Sequence, residues 1–127
     1  MPLGDRQRLD QRPAASRSDD LAALAHALGR SQAIRETCDG VGDQHWRSKY
    51  MRLMDLEKPD EAGSARVRAA FGAGYAAARA DYADCSPQAR EALGAAAQQG
   101  RALAERLAGD PPAPAPAEPV AEAAPPR

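Results

Sequence analysis

The sequence predicts an all-α protein, and three observations support this fold class. The 127 residues include 31 alanines, which favour helices. They include only one isoleucine, three valines and one threonine, and this scarcity of β-branched residues argues against a sandwich, a barrel or a parallel sheet. Apolar residues also recur every three or four positions between recognisable caps and breakers. We therefore expect one compact bundle of three or four helices.

The composition changes at both ends of the chain and sets the predicted domain limits. Residues 1–17 are polar and contain two prolines, so we expect a loose N-terminus. Residues 109–127 contain seven prolines and six alanines, a composition that predicts a disordered or polyproline-like tail. The helical domain is accordingly expected to cover residues 18–108.

The first two predicted helices are separated by a glycine-rich turn. Ser18 is a suitable N-cap for the first helix, and Gly40 supplies the positive φ of a C-terminal cap. Asp43 is the expected N-cap of the second helix, which Pro59 ends. Four apolar residues form one face of this second helix: Trp46, Tyr50, Leu53 and Met54.

The third and fourth predicted helices follow in the second half of the domain. The third begins at either Asp60 or Ser64, because Gly63 leaves both starts open. The fourth begins at Ser86-Pro87, where a capping hydroxyl precedes a proline in the first helical position. Small residues at 96 and 100 predict close packing of this helix against the third helix, the first helix or a second copy of the chain.

Two glycines of the third helix resemble a nucleotide-binding motif. The segment Gly72–Ala77 fits the pattern G-x-G-x-x-A, but that fingerprint requires a preceding strand, which the sequence does not predict. We interpret Gly72 and Gly74 as positions where a neighbouring helix packs against bare backbone.

The charge balance bounds the partners that the chain can attract. Seventeen basic and eighteen acidic residues give a formal net charge of -1, which argues against a nucleic-acid partner. No run of 18 apolar residues is present, so no membrane span is expected. The first residues also lack the apolar run of a signal peptide, and a chain that begins as written is expected in the cytoplasm.

The two cysteines, Cys38 and Cys85, fall at predicted helix ends, where two chain reversals can meet. Their positions alone leave two alternatives open, a disulfide or two free thiols. No C-x-x-C pattern is present, and the two histidines, His26 and His45, lack a metal-binding partner at helical spacing. We therefore expect no metal and no cofactor.

The densest cluster of functional side chains lies at the start of the second helix. Asp43, His45, Trp46 and Arg47 place a carboxylate, an imidazole, an indole and a guanidinium within five positions. These residues could form an interaction patch, because Trp and Arg are enriched in binding hot spots. The structural alternative, which we favour, is that Asp43 caps the helix and pairs with Arg47 while Trp46 fills the core.

Several of these residues together resemble a known group. The shared features are Cys38, the Gly42-Asp43-x-x-Trp46-Arg47 block, Met51, Leu53, the Phe71-x-x-Gly74-Tyr75 block and Cys85-Ser86. Over residues 20–108 the chain resembles a conserved hypothetical family of small helical alphaproteobacterial proteins without an assigned activity. Members usually carry a signal peptide, so the resemblance implies a periplasmic or secreted location and a Cys38–Cys85 disulfide.

These observations favour a non-enzymatic, extracytoplasmic interaction or structural module of the cell envelope. Its partner would be an unidentified envelope protein or a second copy of the chain. One alternative is a small enzyme that uses Cys38 or His45. Another is a helical DNA-binding regulator, although the second helix carries acidic as well as basic residues.

Overall fold

The computed structural model describes residues 14–109, which form four α-helices joined by short turns. They are α1 (Ala14–Asp39), α2 (His45–Glu57), α3 (Glu61–Asp81) and α4 (Pro87–Ala108). No strand occurs between residues 14 and 109, so the predicted all-α helical bundle is confirmed. The predictions for residues 1–13 and 110–127 lie outside the described residues. None of the four helices is long and apolar enough to cross a membrane.

The longest helix, α1, is the centre of the bundle. It packs most extensively against α3, then against α4 and α2. Ala25 and Ala33 are fully buried, and Ile34 is 1% exposed. Apolar residues therefore face several directions around α1, as expected for a helix enclosed by neighbours rather than lying on a surface.

Two apolar clusters fill the space around α1. The larger joins all four helices, and its buried members are Leu24, Ala25, Leu28, Tyr50, Val67, Phe71, Leu103 and Leu107. The smaller surrounds Ile34 and contains only alanines besides it, Ala33, Ala78 and Ala89. The core is thin at this second end, because methyl groups bury little area per residue.

The start of α1 differs from the prediction. The helix begins at Ala14, so the expected N-cap at Ser18 is wrong. Arg17 lies in the first turns and donates to both carboxylate oxygens of Glu57 at 2.9 Å, and to the Leu107 carbonyl at 3.2 Å. These contacts with the ends of α2 and α4 hold the added turn, which the high helix propensity of alanine also favours.

The α1–α2 turn confirms one predicted cap and corrects another. Gly40 has a φ of +115° and ends α1 as expected. Gln44, not Asp43, occupies the N-cap position of α2, and its side chain makes no capping hydrogen bond. Asp43 is the residue before this N-cap, and its side chain accepts a hydrogen bond from the backbone N–H of His45 at 3.0 Å. The prediction of Asp43 as N-cap is therefore wrong.

The remaining helix boundaries follow the predicted caps. α2 ends at Glu57, ahead of Pro59, and Lys58 adopts a left-handed φ of 44°. Asp60 accepts from the Gly63 N–H at 2.7 Å, which confirms the earlier of the two starts considered for α3. Ser86 accepts from the Ala89 N–H at 3.0 Å, and α4 begins at Pro87 as predicted.

Two glycines allow α1 and α3 to touch backbone to backbone. A Cβ atom at Gly29 would overlap the carbonyl oxygen of Phe71, and one at Gly74 would overlap the carbonyl oxygen of His26. The predicted packing role of Gly74 is confirmed, and Gly29 is its counterpart on α1. The same role for Gly72 is wrong, because Gly72 is exposed and a Cβ there would meet nothing within 4 Å.

Helix α4 packs on α1 through the small residues at 96 and 100. Both are buried, and a Cβ at Gly100 would lie 3.5 Å from Leu24 Cδ1. Of the three packing partners considered for these positions, the structure therefore selects the first helix.

A disulfide joins the end of α1 to the turn between α3 and α4. Cys38 and Cys85 are bonded, with Cα atoms 4.8 Å apart and a sequence separation of 47 residues. The pairing that the family resemblance implies is thus confirmed. Cys38 packs against the smaller cluster, so the disulfide braces the end of the bundle whose buried core residues are mostly alanines.

We expect Gly74→Ala to destabilise the bundle by about 1–3 kcal/mol, because the added methyl meets a backbone carbonyl that cannot rotate away. Gly72→Ala is the matched control on the same helix. It should stabilise by about 0.5–1 kcal/mol, since alanine has the higher helix propensity and the site is open. Urea unfolding monitored by circular dichroism measures both, and equal effects would contradict the close helix contact.

Replacement of both cysteines by serine should lower the free energy of unfolding by about 4 kcal/mol, the chain-entropy value for this loop length. Urea unfolding of the double variant measures the loss. Wild-type protein unfolded in the presence of a reductant should match the double variant. A loss below about 1 kcal/mol would contradict the bracing role.

Candidate functional site

The predicted patch of Asp43, His45, Trp46 and Arg47 divides into two environments. Asp43 and Arg47 belong to a network of hydrogen bonds and ion pairs with α1 and α3. Trp46 lines a groove between α2 and α4. His45 is exposed, and its ring meets the Trp46 ring edge-on with centroids 4.8 Å apart. Only His45 and Trp46 therefore face the same region.

The network centres on Gln32, which is fully buried in α1. Its side-chain nitrogen donates to Glu36 Oε2 at 2.8 Å and to the Asp43 carbonyl at 2.6 Å. Its side-chain oxygen accepts from the Arg47 backbone N–H at 2.8 Å. One amide thus holds the α1–α2 turn and the first turn of α2 against α1, and satisfies backbone groups that α2 leaves unpaired at its start.

Glu36 is the buried charge of this network and is 8% exposed. It accepts hydrogen bonds from Gln32 and from the Tyr75 hydroxyl, and the Arg47 guanidinium lies 3.6 Å from its Oε2. The hydrogen bond to Glu36 raises the pKa of Tyr75, because the neutral phenol is the donor. Arg47 also lies over the Phe71 ring, 5.4 Å from its centroid.

The predicted ion pair between Asp43 and Arg47 is wrong. Arg47 pairs with Glu36, while Asp43 Oδ2 accepts from Arg35 Nε at 3.1 Å. The hydrogen bond from the His45 backbone N–H lowers the pKa of Asp43, and the hydrogen bond from the Arg35 guanidinium lowers it further. Both side chains therefore hold the turn, which is a structural role as we favoured. They do so through Arg35 and Glu36 and not through each other.

An apolar groove of about 370 Å³ lies between α2 and α4, with α1 as its floor. Its lining residues are Leu24, Leu28 and Ser31 from α1, Trp46, Lys49, Arg52, Leu53 and Leu56 from α2, and Ala96, Ala97, Gly100, Arg101 and Ala104 from α4. Leu56 is 73% exposed, although it is one of the larger apolar side chains of the molecule. The groove is a place where the bundle leaves apolar surface in contact with solvent.

Trp46 contributes both to the core and to this groove. It packs against the larger apolar cluster and is half-buried, so the prediction that it fills the core holds in part. Its indole N–H is buried without a hydrogen-bond partner among the described residues. The Lys49 ammonium lies 5.9 Å from its ring centroid, within the range of a cation–π contact.

The charged side chains of the groove have one sign. Lys49 and Arg52 lie on the α2 wall and Arg101 on the α4 wall, and all three residues are exposed. No carboxylate of residues 14–109 forms an ion pair with any of them, whereas Arg17, Arg66 and Arg106 are all paired. The groove therefore combines an apolar interior with an uncompensated basic rim.

The other predicted chemical features occupy structural positions. Cys38 is bonded to Cys85, and a disulfide sulfur is not the thiolate that nucleophilic catalysis requires. Within residues 14–109 no group of three histidine, cysteine or carboxylate side chains could hold a metal ion. Residues 72–77 lie inside α3, without the strand that a dinucleotide fingerprint needs.

The family model of DUF2385, described as a protein of unknown function, matches residues 17–110. The chain belongs to this family. The match runs from the first turns of α1 to the end of α4, so the DUF2385 unit includes the disulfide, the buried network and the groove. It fits the resemblance to a conserved family without an assigned activity. Neither a curated protein nor a solved structure matches the chain.

Gln32 and Glu36 are the two network residues that the sequence analysis missed. They are one helical turn apart, and Gln32 is followed directly by Ala33 and Ile34. A helix with apolar residues on several sides must bury the polar residues between them, and this pattern in α1 was the available signal. The groove residues Lys49, Leu56 and Arg101 were missed as well, because a groove depends on how two distant helices are placed.

Replacing Gln32 by leucine should destabilise the protein by about 2 kcal/mol or more, because the Arg47 N–H and the Asp43 carbonyl lose their partner. Gln99→Leu, at an exposed position of α4, is the control and should change stability by less than about 0.5 kcal/mol. The urea midpoint of each variant is the measurement. Equal midpoints would mean that the buried amide does not hold the turn.

Proposed function

We propose that the chain is a non-catalytic interaction module of the cell envelope that binds a partner protein in the groove between α2 and α4. The observation that carries this proposal is the exposed apolar surface of the groove. Leu56 is 73% exposed there, and Leu53, which also lines the groove, is half-buried against the larger apolar cluster. Apolar surface gathered in one concave region is typical of a binding site.

The residues that line the groove favour binding over catalysis. Its polar lining consists of Ser31, which donates to the Ala27 carbonyl, and three long basic side chains. No histidine, carboxylate or free thiol lines it, so it offers no general base and no nucleophile with a partner base. An apolar surface with basic edges is suited to hold a partner rather than to transform one.

The disulfide supports the location outside the cytoplasm. Disulfides persist in oxidising compartments such as the periplasm and are rare in the cytoplasm. Both cysteines of the chain are used in the Cys38–Cys85 bond. The family resemblance, whose members usually carry a signal peptide, points to the same compartment.

The intact mass of the protein from its native host tests the location. Free thiols are alkylated on lysis, and the sample is measured before and after reduction. An exported protein should carry no label before reduction and two labels after it, and should be recovered in the periplasmic or secreted fraction. Two labels without reduction, in the cytoplasmic fraction, would overturn the extracytoplasmic assignment.

The variant Leu56→Glu tests the groove as the docking surface. Leu56 is 73% exposed, so the bundle should fold normally, while a charge in the groove should weaken binding at least about tenfold. Met51→Glu is the matched control, because Met51 is also exposed on α2 but does not line the groove. Cross-linking in the host, followed by recovery of the same cross-linked species, compares the three proteins.

The expected result is that wild type and Met51→Glu recover the same envelope protein and Leu56→Glu does not. Circular dichroism and the urea midpoint verify that both variants are folded. Recovery of that protein by all three would show that the groove is not the contact surface.

A further inference from the structure

We propose that the partner presents an acidic amphipathic helix to the groove. This inference rests on the proposed function and specifies the chemistry of the occupant. It follows from the length of the groove, the size of the residues on its walls and the sign of its charges.

The groove has the length of a short helix. Its α2 wall extends from Trp46 to Leu56, which is about 15 Å at the helical rise per residue, and its α4 wall from Ala96 to Ala104, about 12 Å. These lengths correspond to two or three helical turns. With α1 as the floor, a helix lying in the groove would contact three helices of the bundle.

The two walls differ in a way that favours a helix. On α4 the lining residues are small: Ala96 and Gly100 are buried against α1, and Ala104 is exposed, so this wall of the groove is low. On α2 the lining residues Trp46, Leu53 and Leu56 are large. A helix with apolar residues at positions i, i+3 or i+4 and i+7 places anchors along such a surface.

The charges specify an acidic partner. Lys49 and Arg52 on one wall and Arg101 on the other have no ion-pair partner within residues 14–109. A helix that carries carboxylates on both sides of its apolar stripe can pair with both walls at once. A single-headed amphiphile such as a fatty acid could meet the cations of only one wall.

Two other occupants fit the groove less well. The segment 110–127 contains seven prolines and only one large apolar residue, Val120, so its sequence has no apolar stripe to offer the groove. Helix α3 of a second copy would bring exposed Arg66, Arg68 and Arg79 towards a basic rim. A separate acidic chain avoids both difficulties.

The emission of Trp46 provides a direct measurement, since it is the single tryptophan of the chain and lines the groove. The full chain is titrated with a synthetic tryptophan-free helix of four turns that has a leucine stripe flanked by glutamates. The control peptides are the same helix with lysine in place of glutamate and a scrambled glutamate peptide. We expect a saturable change in emission with the first peptide only.

Charge reversal on the protein supplies the second arm. Arg101→Glu should weaken the glutamate helix by about tenfold or more, whereas Arg68→Glu, at an exposed site of α3 outside the groove, should leave it within about twofold. The combined variant Lys49→Glu, Arg52→Glu and Arg101→Glu should bind the lysine helix in preference to the glutamate helix. Such a reversal of preference would identify the rim charges as the determinant.

Five results would overturn the inference. The first two are binding of no peptide and equal binding of the lysine or scrambled peptide. The third is a change in Trp46 emission on dilution of the free protein, which marks a second copy. The fourth is a change in Trp46 emission in the full-length variant Val120→Asp, which marks the chain's own tail. The fifth is competition by decanoate at equal potency, which assigns the groove to an acyl chain. The proposed function fails separately, when Leu56→Glu still recovers the cross-linked partner.

Discussion

The enclosure of α1 by the other three helices is the constraint on which the rest of the structure depends. α1 contacts its three neighbours closely because several of its buried side chains are small, and Ala25, Ala27 and Ala33 are almost completely buried. At two points even a methyl group is too large: Gly29 of α1 lies against the Phe71 carbonyl of α3, and Gly74 of α3 lies against the His26 carbonyl of α1. Close contact between backbones gains dispersion energy that small side chains alone would not provide.

The same enclosure explains the buried polar network. A helix of 26 residues that is surrounded cannot keep every polar side chain in solvent, so Gln32 and Glu36 are buried and need partners. The partners come from the α1–α2 turn, from Arg47 at the start of α2 and from Tyr75 on α3. The network therefore aligns α2 and α3 on α1, at the end of the bundle where the disulfide also lies.

The groove lies where α2 and α4 both pack on α1 but make few contacts with each other. α2 has 13 residues and α4 has 22, and both pack on α1, which leaves a space between them over Leu24 and Leu28. Filling this space from within would require larger residues on α4, whose lining residues, apart from Arg101, are alanines and Gly100. An opening with an apolar floor and unpaired cations on both walls is thus built into the packing, and it is where we assign the function.

The sequence by itself determined the local features of this protein. Helical periodicity, the stop at Gly40 and the cap at Ser86 are decided by groups within a few residues of one another. The sequence also limited the start of α3 to Asp60 or Ser64, and it predicted the packing role of Gly74 and, in part, the contact of Trp46 with the core. The family resemblance added the Cys38–Cys85 pairing, which spacing alone left open.

The tertiary structure decided what depends on residues distant in the chain. Arg47 pairs with Glu36 rather than Asp43, and α1 begins four residues early because Arg17 reaches Glu57 and Leu107. A single sequence shows which groups can form an ion pair, but the choice among them depends on which carboxylate the fold brings within range. The groove exists only because α2 and α4, which the whole of α3 separates in sequence, lie side by side on α1.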